Sequence, residues 1–338
     1  MKHHNRRTFL KVATATGLSL SLAGELQALS KAEQGKRVGI IGLDTSHSTA
    51  FTKVLNAPDA STDYGGYKVV AAYPQGSKDI ESSVKRIPGY TEEVKKLGVE
   101  IVGSIKELLS KTDVILLETN DGRLHLEQAL EVLKAGKRMF IDKPVAASLS
   151  DTIAIYEAAK KYNVPIFTTS SLRYIKGVQD IDKSQVLGAD TFSPATLEKT
   201  HPDLFWYGVH GVETLYTVMG LGCNSVVRVH TENTDIVVGN WQDGRVGTFR
   251  GTRTGKHEYG GTVFTKNGNI VLGPYPGYEP LLVEIIKYFQ TGKAPVSPEE
   301  TIEIFAFMEA ADESKRQNGA SVTLASVMEK ARKFQKRG

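Results

Sequence analysis

Short apolar runs alternate with helical patterns through the first half of the chain. Arg37 to Gly42, Tyr67 to Tyr73, Glu100 to Gly103, Asp113 to Thr119, Met139 to Ile141 and Val164 to Thr168 read as buried strands. Between them, Thr49 to Asn56, Glu92 to Leu97, Ile105 to Ser110, a stretch reaching Ala135 and Asp151 to Tyr162 read as helices. Leu126, Leu130 and Leu133 line one side of the fourth, and Gly136 closes it. Strand–helix alternation with short connections predicts a doubly wound parallel sheet, because right-handed crossovers leave few other topologies.

After Ser170-Ser171-Leu172-Arg173-Tyr174 the pattern changes. Val226 to His230 and Gly247 to Thr252 alternate apolar and polar residues between Gly, Asn and Asp turns, as an open antiparallel sheet with one covered face does. Leu281 to Phe289, Pro298 to Arg316 and Leu324 to Gln335 read as helices that cover this sheet or return to the first domain. The expected class is α/β: a Rossmann-like domain over residues 36–169, then an α+β domain over 170–338.

Composition changes this picture at one end only. The chain has 338 residues, 40% hydrophobic and 24% charged, as globular proteins do. Asn5-Arg6-Arg7-Thr8-Phe9-Leu10-Lys11 followed by the weakly apolar run Val12 to Gly24 reads as a twin-arginine signal peptide over residues 1–30. That run is too short and too rich in Ser and Thr to span a membrane. The expected location is therefore periplasmic, with the twin-arginine export machinery as a partner. Residues 1–30 carry a formal +3 of the total +4, so the remainder is nearly neutral and its charge points to no nucleic-acid partner. Cys223 is the single cysteine, which excludes an intrachain disulfide.

Candidate chemistry gathers where strands end, since open α/β sheets bind ligands at their carboxyl edge. The first strand runs into Gly42-Leu43-Asp44-Thr45-Ser46-His47, where a dinucleotide fold would read G-x-G-x-x-G. Asp44 and His47 replace the second and third glycines, and Asp44 adds bulk and negative charge beside any phosphate. Helix capping by Asp44 or Ser46 and ligand contact are both open readings. The second strand ends on Tyr73 rather than on the acid that binds a ribose, and Ser77 and Lys78 follow, which leans towards NADP over NAD. Met139-Phe140-Ile141 runs into Asp142-Lys143-Pro144, where proline forces a turn and leaves Lys143 at a strand end. A lysine against apolar walls can take part in proton transfer.

These motifs, in this order, resemble the Gfo/Idh/MocA family, named for glucose–fructose oxidoreductase, inositol dehydrogenase and a rhizopine-breakdown protein. The resemblance spans Arg37 to Phe334. Thr119, His125, Ala135-Gly136-Lys137 and Lys143-Pro144 match its central motif, while Asn120, Asp121 and Asp142 stand for its Pro, Asn and Glu. Arg173-Tyr174 and Phe289 to Ser297 also match. The resemblance implies an NAD(P)-dependent oxidoreductase of sugars, polyols or glycosides, acting as a homo-oligomer. It places Gly42, Asp44, Thr45, Ser46, His47 and Tyr73, with Thr119, Asn120, His125, Lys143 and Pro144, around the cofactor.

The family's second catalytic element, Asp-x-x-x-His, falls on Trp206 to His210, so its histidine is kept and its Asp is lost. Lys143, His210 and Tyr207 are the implied acid–base groups, and Arg173, Asp203, Trp206, His210 and Glu213 the substrate contacts. His210 and Glu213, three residues apart, are expected to share a helix face and hydrogen-bond. Scarce nicotinamide outside the cytoplasm implies a cofactor held tightly and recycled within each turnover. No metal is expected under this reading. Two alternatives stay open: a metal-dependent lyase or hydrolase using His201, Asp203, His210 and Glu213, and a sugar-binding protein without catalysis.

Overall fold

The computed structural model describes residues 35–335; the twin-arginine stretch lies outside them. The first sheet is parallel, in the order β3-β2-β1-β4-β5-β6. Its strands are β1 (Arg37–Ile41), β2 (Lys68–Tyr73), β3 (Glu100–Ile101), β4 (Val114–Leu117), β5 (Met139–Ile141) and β6 (Ile166–Thr168). Helices α1 (Ser46–Asn56), α2 (Glu81–Lys96), α3 (Ile105–Lys111), α4 (His125–Lys134) and α5 (Leu149–Tyr162) make the crossovers. Strand order reverses between β1 and β4, which opens a crevice at their carboxyl ends.

Period-two alternation along these strands sorts their side chains into two cores. Ile41, Ile115, Leu117, Met139 and Ile141 face α4 and α5 in one. Val38, Ile40, Val114, Leu116 and Phe140 face Phe51 and Leu55 of α1 in the other. The second core is completed by Leu281, Ile285 and Phe289 of a helix late in the chain, α7 (Glu279–Thr291), which returns to the first domain.

α2 is longer than the expected Glu92–Leu97 helix and contains Pro88. Within it Pro88 gives up the bond to the carbonyl of Val84. Val84 is exposed, so water can take that bond.

The second sheet has the order β12-β11-β7-β10-β9-β8-β13. It contains β7 (Val186–Pro194), β8 (Cys223–His230), β9 (Thr234–Trp241), β10 (Val246–Thr252), β11 (Gly260–Thr265), β12 (Gly268–Leu272) and β13 (Val322–Thr323). The alternation foretold an antiparallel sheet; β7 and β10 form one parallel pair within it. The chain leaves β7 through α6 (Val209–Met219) before β8–β10, a crossover long enough for parallel pairing. α6 and α8 (Pro298–Arg316) cover one face, and α9 (Leu324–Gln335) ends the described chain. Phe192, Val229 and Val271 are exposed.

Arg228, fully buried on β8, is the ionic centre of this domain. Its guanidinium donates to Asp235 Oδ1 at 2.8 Å, to Asp203 Oδ2 at 2.8 Å and to Asp312. Burial still pushes the Asp312 carboxyl up to about 7. The domains meet at His201, whose Nε2 accepts from the backbone N–H of Gly122 at 3.2 Å. Its Nδ1 lies 2.9 Å from Thr200 Oγ1, so a neutral ring satisfies both bonds. Burial depresses the His201 pKa from 6.5 to about 4.

Arg228→Met should destabilise the protein by about 3–5 kcal/mol in urea denaturation, because it strands buried carboxylates. A loss near zero would show that Arg253 and Lys315 suffice for them. His201 contributes stability that is fully present above about pH 6.5 and is lost as pH falls towards about 4, since the unfolded chain binds the proton more readily. Wild type should therefore lose more stability than His201→Gln across that window. Parallel stability–pH curves would contradict this role.

Candidate active site

At the crevice, Gly42 carries φ +89, and a Cβ there would sit 2.5 Å from the backbone of Thr119. Glycine alone lets β1 turn so close to the end of β4. Asp44 follows, and it neither caps α1 nor reaches into the cleft. Its carboxylate is fully buried beneath the turn, where Oδ2 accepts from Ser77 N at 3.1 Å and Oδ1 from Asn120 N at 2.9 Å. The absence of a side chain at Gly76 makes room for it. Burial pushes its pKa up, while these hydrogen bonds oppose the shift. The expected clash of Asp44 with a phosphate does not arise.

Thr45 holds the N-cap position of α1 without a side-chain bond, and the first turn contains no acid. Thr45, Ser46 and His47 at this helix start, with Arg86 nearby, line a cleft of about 400 Å³. Such a helix start accepts anions readily.

Two acids end the neighbouring strands. Glu118 N donates to Ile41 O at 2.7 Å and Asp142 N to Leu117 O at 2.8 Å, which extends both ladders by one residue. Alternation then turns both side chains to the α1 side, where the first helical turn presents His47. His47 Nδ1 lies 3.0 Å from Asp142 Oδ2 and 4.0 Å from Glu118 Oε2. Burial, then the neighbouring Asp142, pushes the Glu118 pKa well above the carboxylate range. Burial disfavours the Asp142 carboxylate too, but His47 and Lys143 hold its pKa below the ordinary value. Lys143 follows directly, its backbone N–H donating to Asp142 Oδ1 at 2.8 Å. The Lys143 side chain is 8% exposed and lines the cleft; the Lys143–Pro144 peptide is cis.

The facing wall comes from the second half of the chain. Leu204–Gly208 forms a π-helical turn before α6, a feature frequent at functional sites. It sets Tyr207 beside His210 with ring centroids 4.9 Å apart. His210 Nδ1 lies 2.7 Å from Ser170 Oγ, and burial, with Lys143 and His47 nearby, depresses its pKa well below 6.5. Tyr207 Oη is 2.9 Å from Tyr259 Oη. Tyr259, Tyr275 and Tyr278 then run as a ring-to-ring arc that ends 4.4 Å from His47. Trp206 closes the rim.

The structure thus brings Thr45, Ser46, His47, Asn120, Lys143, Trp206, Tyr207 and His210 to one cleft. Others lie elsewhere. Tyr73 bonds Gln75 outside the cleft. Thr119 is buried, and the ring of His125 sits between the carbonyls of Thr119 and Val145, tying two loops together. Pro144 shapes the turn. Asp203 is committed to Arg228 and Lys315. Glu213 bonds Arg173 at 3.1 Å and Thr169, not His210, and Arg173 continues to Glu300 at 2.7 Å. Consequently His201, Asp203, His210 and Glu213 do not assemble as metal ligands, because each has a different partner. Glu118 escaped sequence reading, although an acid ending the run Val114 to Leu117 beside another strand-end acid was its signal. Arg86 and the tyrosine arc had none, since they come from distant segments.

Residues 36–170 match an oxidoreductase family described by its NAD-binding Rossmann fold. An uncharacterised oxidoreductase of Streptococcus pneumoniae is 28% identical over 119 residues, 35% of this chain and 32% of that protein. Glucose-6-phosphate 3-dehydrogenase of Bacillus subtilis is 25% identical over 155 residues, 45% of this chain and 38% of that protein. The matches span about a third of the length of these curated relatives. Among solved structures, myo-inositol 2-dehydrogenase from Lactobacillus plantarum superposes with TM-score 0.69 at 16% identity, over 85% of this chain and 98% of that one. Scyllo-inositol dehydrogenase from Lactobacillus casei, solved with NAD(H) and scyllo-inositol, gives 0.67 at 14%, over 86% and 99%. At such identities the structural likeness is one of fold, and residues 36–170 match the NAD-binding Rossmann domain of the Gfo/Idh/MocA oxidoreductase family.

Proposed function

We propose that this protein is an exported NAD(P)-dependent oxidoreductase of a sugar, polyol or glycoside. The observation that carries this reading is the convergence of Lys143 and His210, from opposite walls, on one cleft at the sheet's switch point. The residues suit a dinucleotide. The open start of α1 at Thr45 and Ser46, with Arg86, would hold its phosphates, and Asn120 and Lys143 its nicotinamide end. That group supplies a hydride acceptor or donor.

The protein's own part is proton transfer and positioning. His210 is held neutral, and Ser170 occupies its Nδ1, so Nε2 is the atom left to take the proton of a reacting hydroxyl. Lys143 supplies N–H donors to the same oxygen. The tyrosine arc offers aromatic faces to the C–H faces of a pyranose or cyclitol ring. Inositol dehydrogenases among the structural neighbours and a sugar-phosphate dehydrogenase among the relatives support this substrate class. Lys78 is exposed beyond Tyr73 and is free to meet a 2′-phosphate, which favours NADP at least as much as NAD.

Lys143→Met and His210→Ala should each lower kcat by ~10²–10⁴-fold with little change in stability, and the double variant should lose less than the product. Turnover near the wild-type rate in either variant would sink the proposal. The same preparations should bind NADP with an affinity comparable to NAD; strong selectivity for NAD would refute the NADP preference.

The leader motivates the export half of the reading, and a cofactor held through turnover would make activity outside the cytoplasm workable. Arg6→Lys with Arg7→Lys should trap precursor in the cytoplasm, as seen by fractionation and immunoblotting. Normal periplasmic accumulation would show that the leader has another role.

A further inference from the structure

His47, Glu118 and Asp142 form the one group of metal-ligating side chains among the described residues whose donor atoms all lie within 4.8 Å of one another. We propose that these three residues bind a divalent first-row transition ion, Zn²⁺ or Mn²⁺, under the floor of the cleft. The inference does not depend on the oxidoreductase reading.

Three observations carry it. Glu118 is fully buried, yet neither carboxylate oxygen has a hydrogen-bond partner. Leaving a buried carboxyl unsatisfied is costly, and native structures seldom do so without an ion or water to receive it. Second, His47 Nδ1 and Asp142 Oδ2 stand 3.0 Å apart, at ion-pair distance, and neither atom has a further hydrogen-bond partner. Third, the spacing suits a shared ion. Donors at about 2.0–2.2 Å from a tetrahedral centre lie roughly 3.3–3.6 Å apart, and the observed separations from His47 are 3.0 and 4.0 Å.

The ligand chemistry selects the metal. One imidazole and two carboxylates form a mixed N/O set that suits Zn²⁺ and Mn²⁺ better than Ca²⁺ or Cu⁺. Two ionised carboxylates would balance the dication's charge. The backbone N–H of Lys143 already orients Asp142 through Oδ1, leaving Oδ2 for the ion, as outer-shell donors do in metal sites. His47 lines the cleft, so the cation would stand next to Lys143 and could present its remaining coordination positions to water or a substrate oxygen. The position of the third glycine in a dinucleotide turn would thereby have become a metal ligand.

The test uses the chain without an affinity tag. After purification and exhaustive dialysis, elemental analysis should find about one Zn or Mn per chain. Chelator-stripped protein titrated calorimetrically with Zn²⁺ and with Mn²⁺ should regain one saturable site and a higher Tm for at least one of them. Glu118→Gln, nearly isosteric, should weaken that site by roughly 100-fold or more, beyond the loss typical of an outer-shell change. Should Glu118→Gln fail to fold, His47→Gln provides the same comparison. No bound metal and no saturable binding by stripped wild type would overturn the proposal. Binding that both variants retain unchanged would also overturn it, by assigning the metal to histidines elsewhere in the chain.

Discussion

A buried carboxylate holds the working edge of this molecule together. Asp44 joins the turn after β1 to backbone N–H groups of the loops after β2 and β4, and those loops carry Ser77 and Asn120. An ionised group is kept in so dry a place only if its hydrogen bonds offset the loss of water. The consequence is geometric. With Asp44 tucked beneath the turn, the start of α1 stays open to the cleft, and His47 is aimed at the ends of β4 and β5.

The cleft belongs to neither domain alone. One wall is the carboxyl edge of the parallel sheet with Lys143; the other is the π-helical turn, His210 and the tyrosine arc. His201 on Gly122 docks the two, while α7 packs its apolar face on the first domain's core. Rigid docking matters for the proposed proton transfer, which requires a donor and acceptor within hydrogen-bond reach of one oxygen. The buried Arg173–Glu213 pair, extended by the partly exposed Glu300, lies just behind this wall. It uses residues that a motif match assigns to substrate, and it contributes to the frame that holds His210 instead.

Buried acids set the electrostatics of the floor. Glu118 and Asp142 are both fully buried within one cluster, and like charges in a low dielectric cannot both ionise without a compensating cation. Lys143 and His47 favour the ionised form of Asp142, which leaves Glu118 as the acid without a partner. Residual frustration of this kind gathers at functional sites, because packing elsewhere in the fold can tolerate it.

Much of the fold was legible in the chain. Apolar runs bounded by glycine and proline determine the parallel strands, since only backbone pairing and burial on both faces suit such runs. Gly42, Lys143 and His210 could be located by motif, because strand ends and helix starts have local signatures. The rest depended on through-space neighbours. Asp44, read between capping and ligand contact, took a third role because Ser77 and Asn120 offered it donors from distant segments. Asp203 and Glu213 were drawn away by Arg228 and Arg173, partners that spacing along the chain does not reveal. The pairing of Glu118, Asp142 and His47 needed both the register of adjacent strands and the position of α1 above them. Tertiary structure decides such matters, because long-range electrostatic partners are chosen by proximity in the fold rather than by order in the sequence.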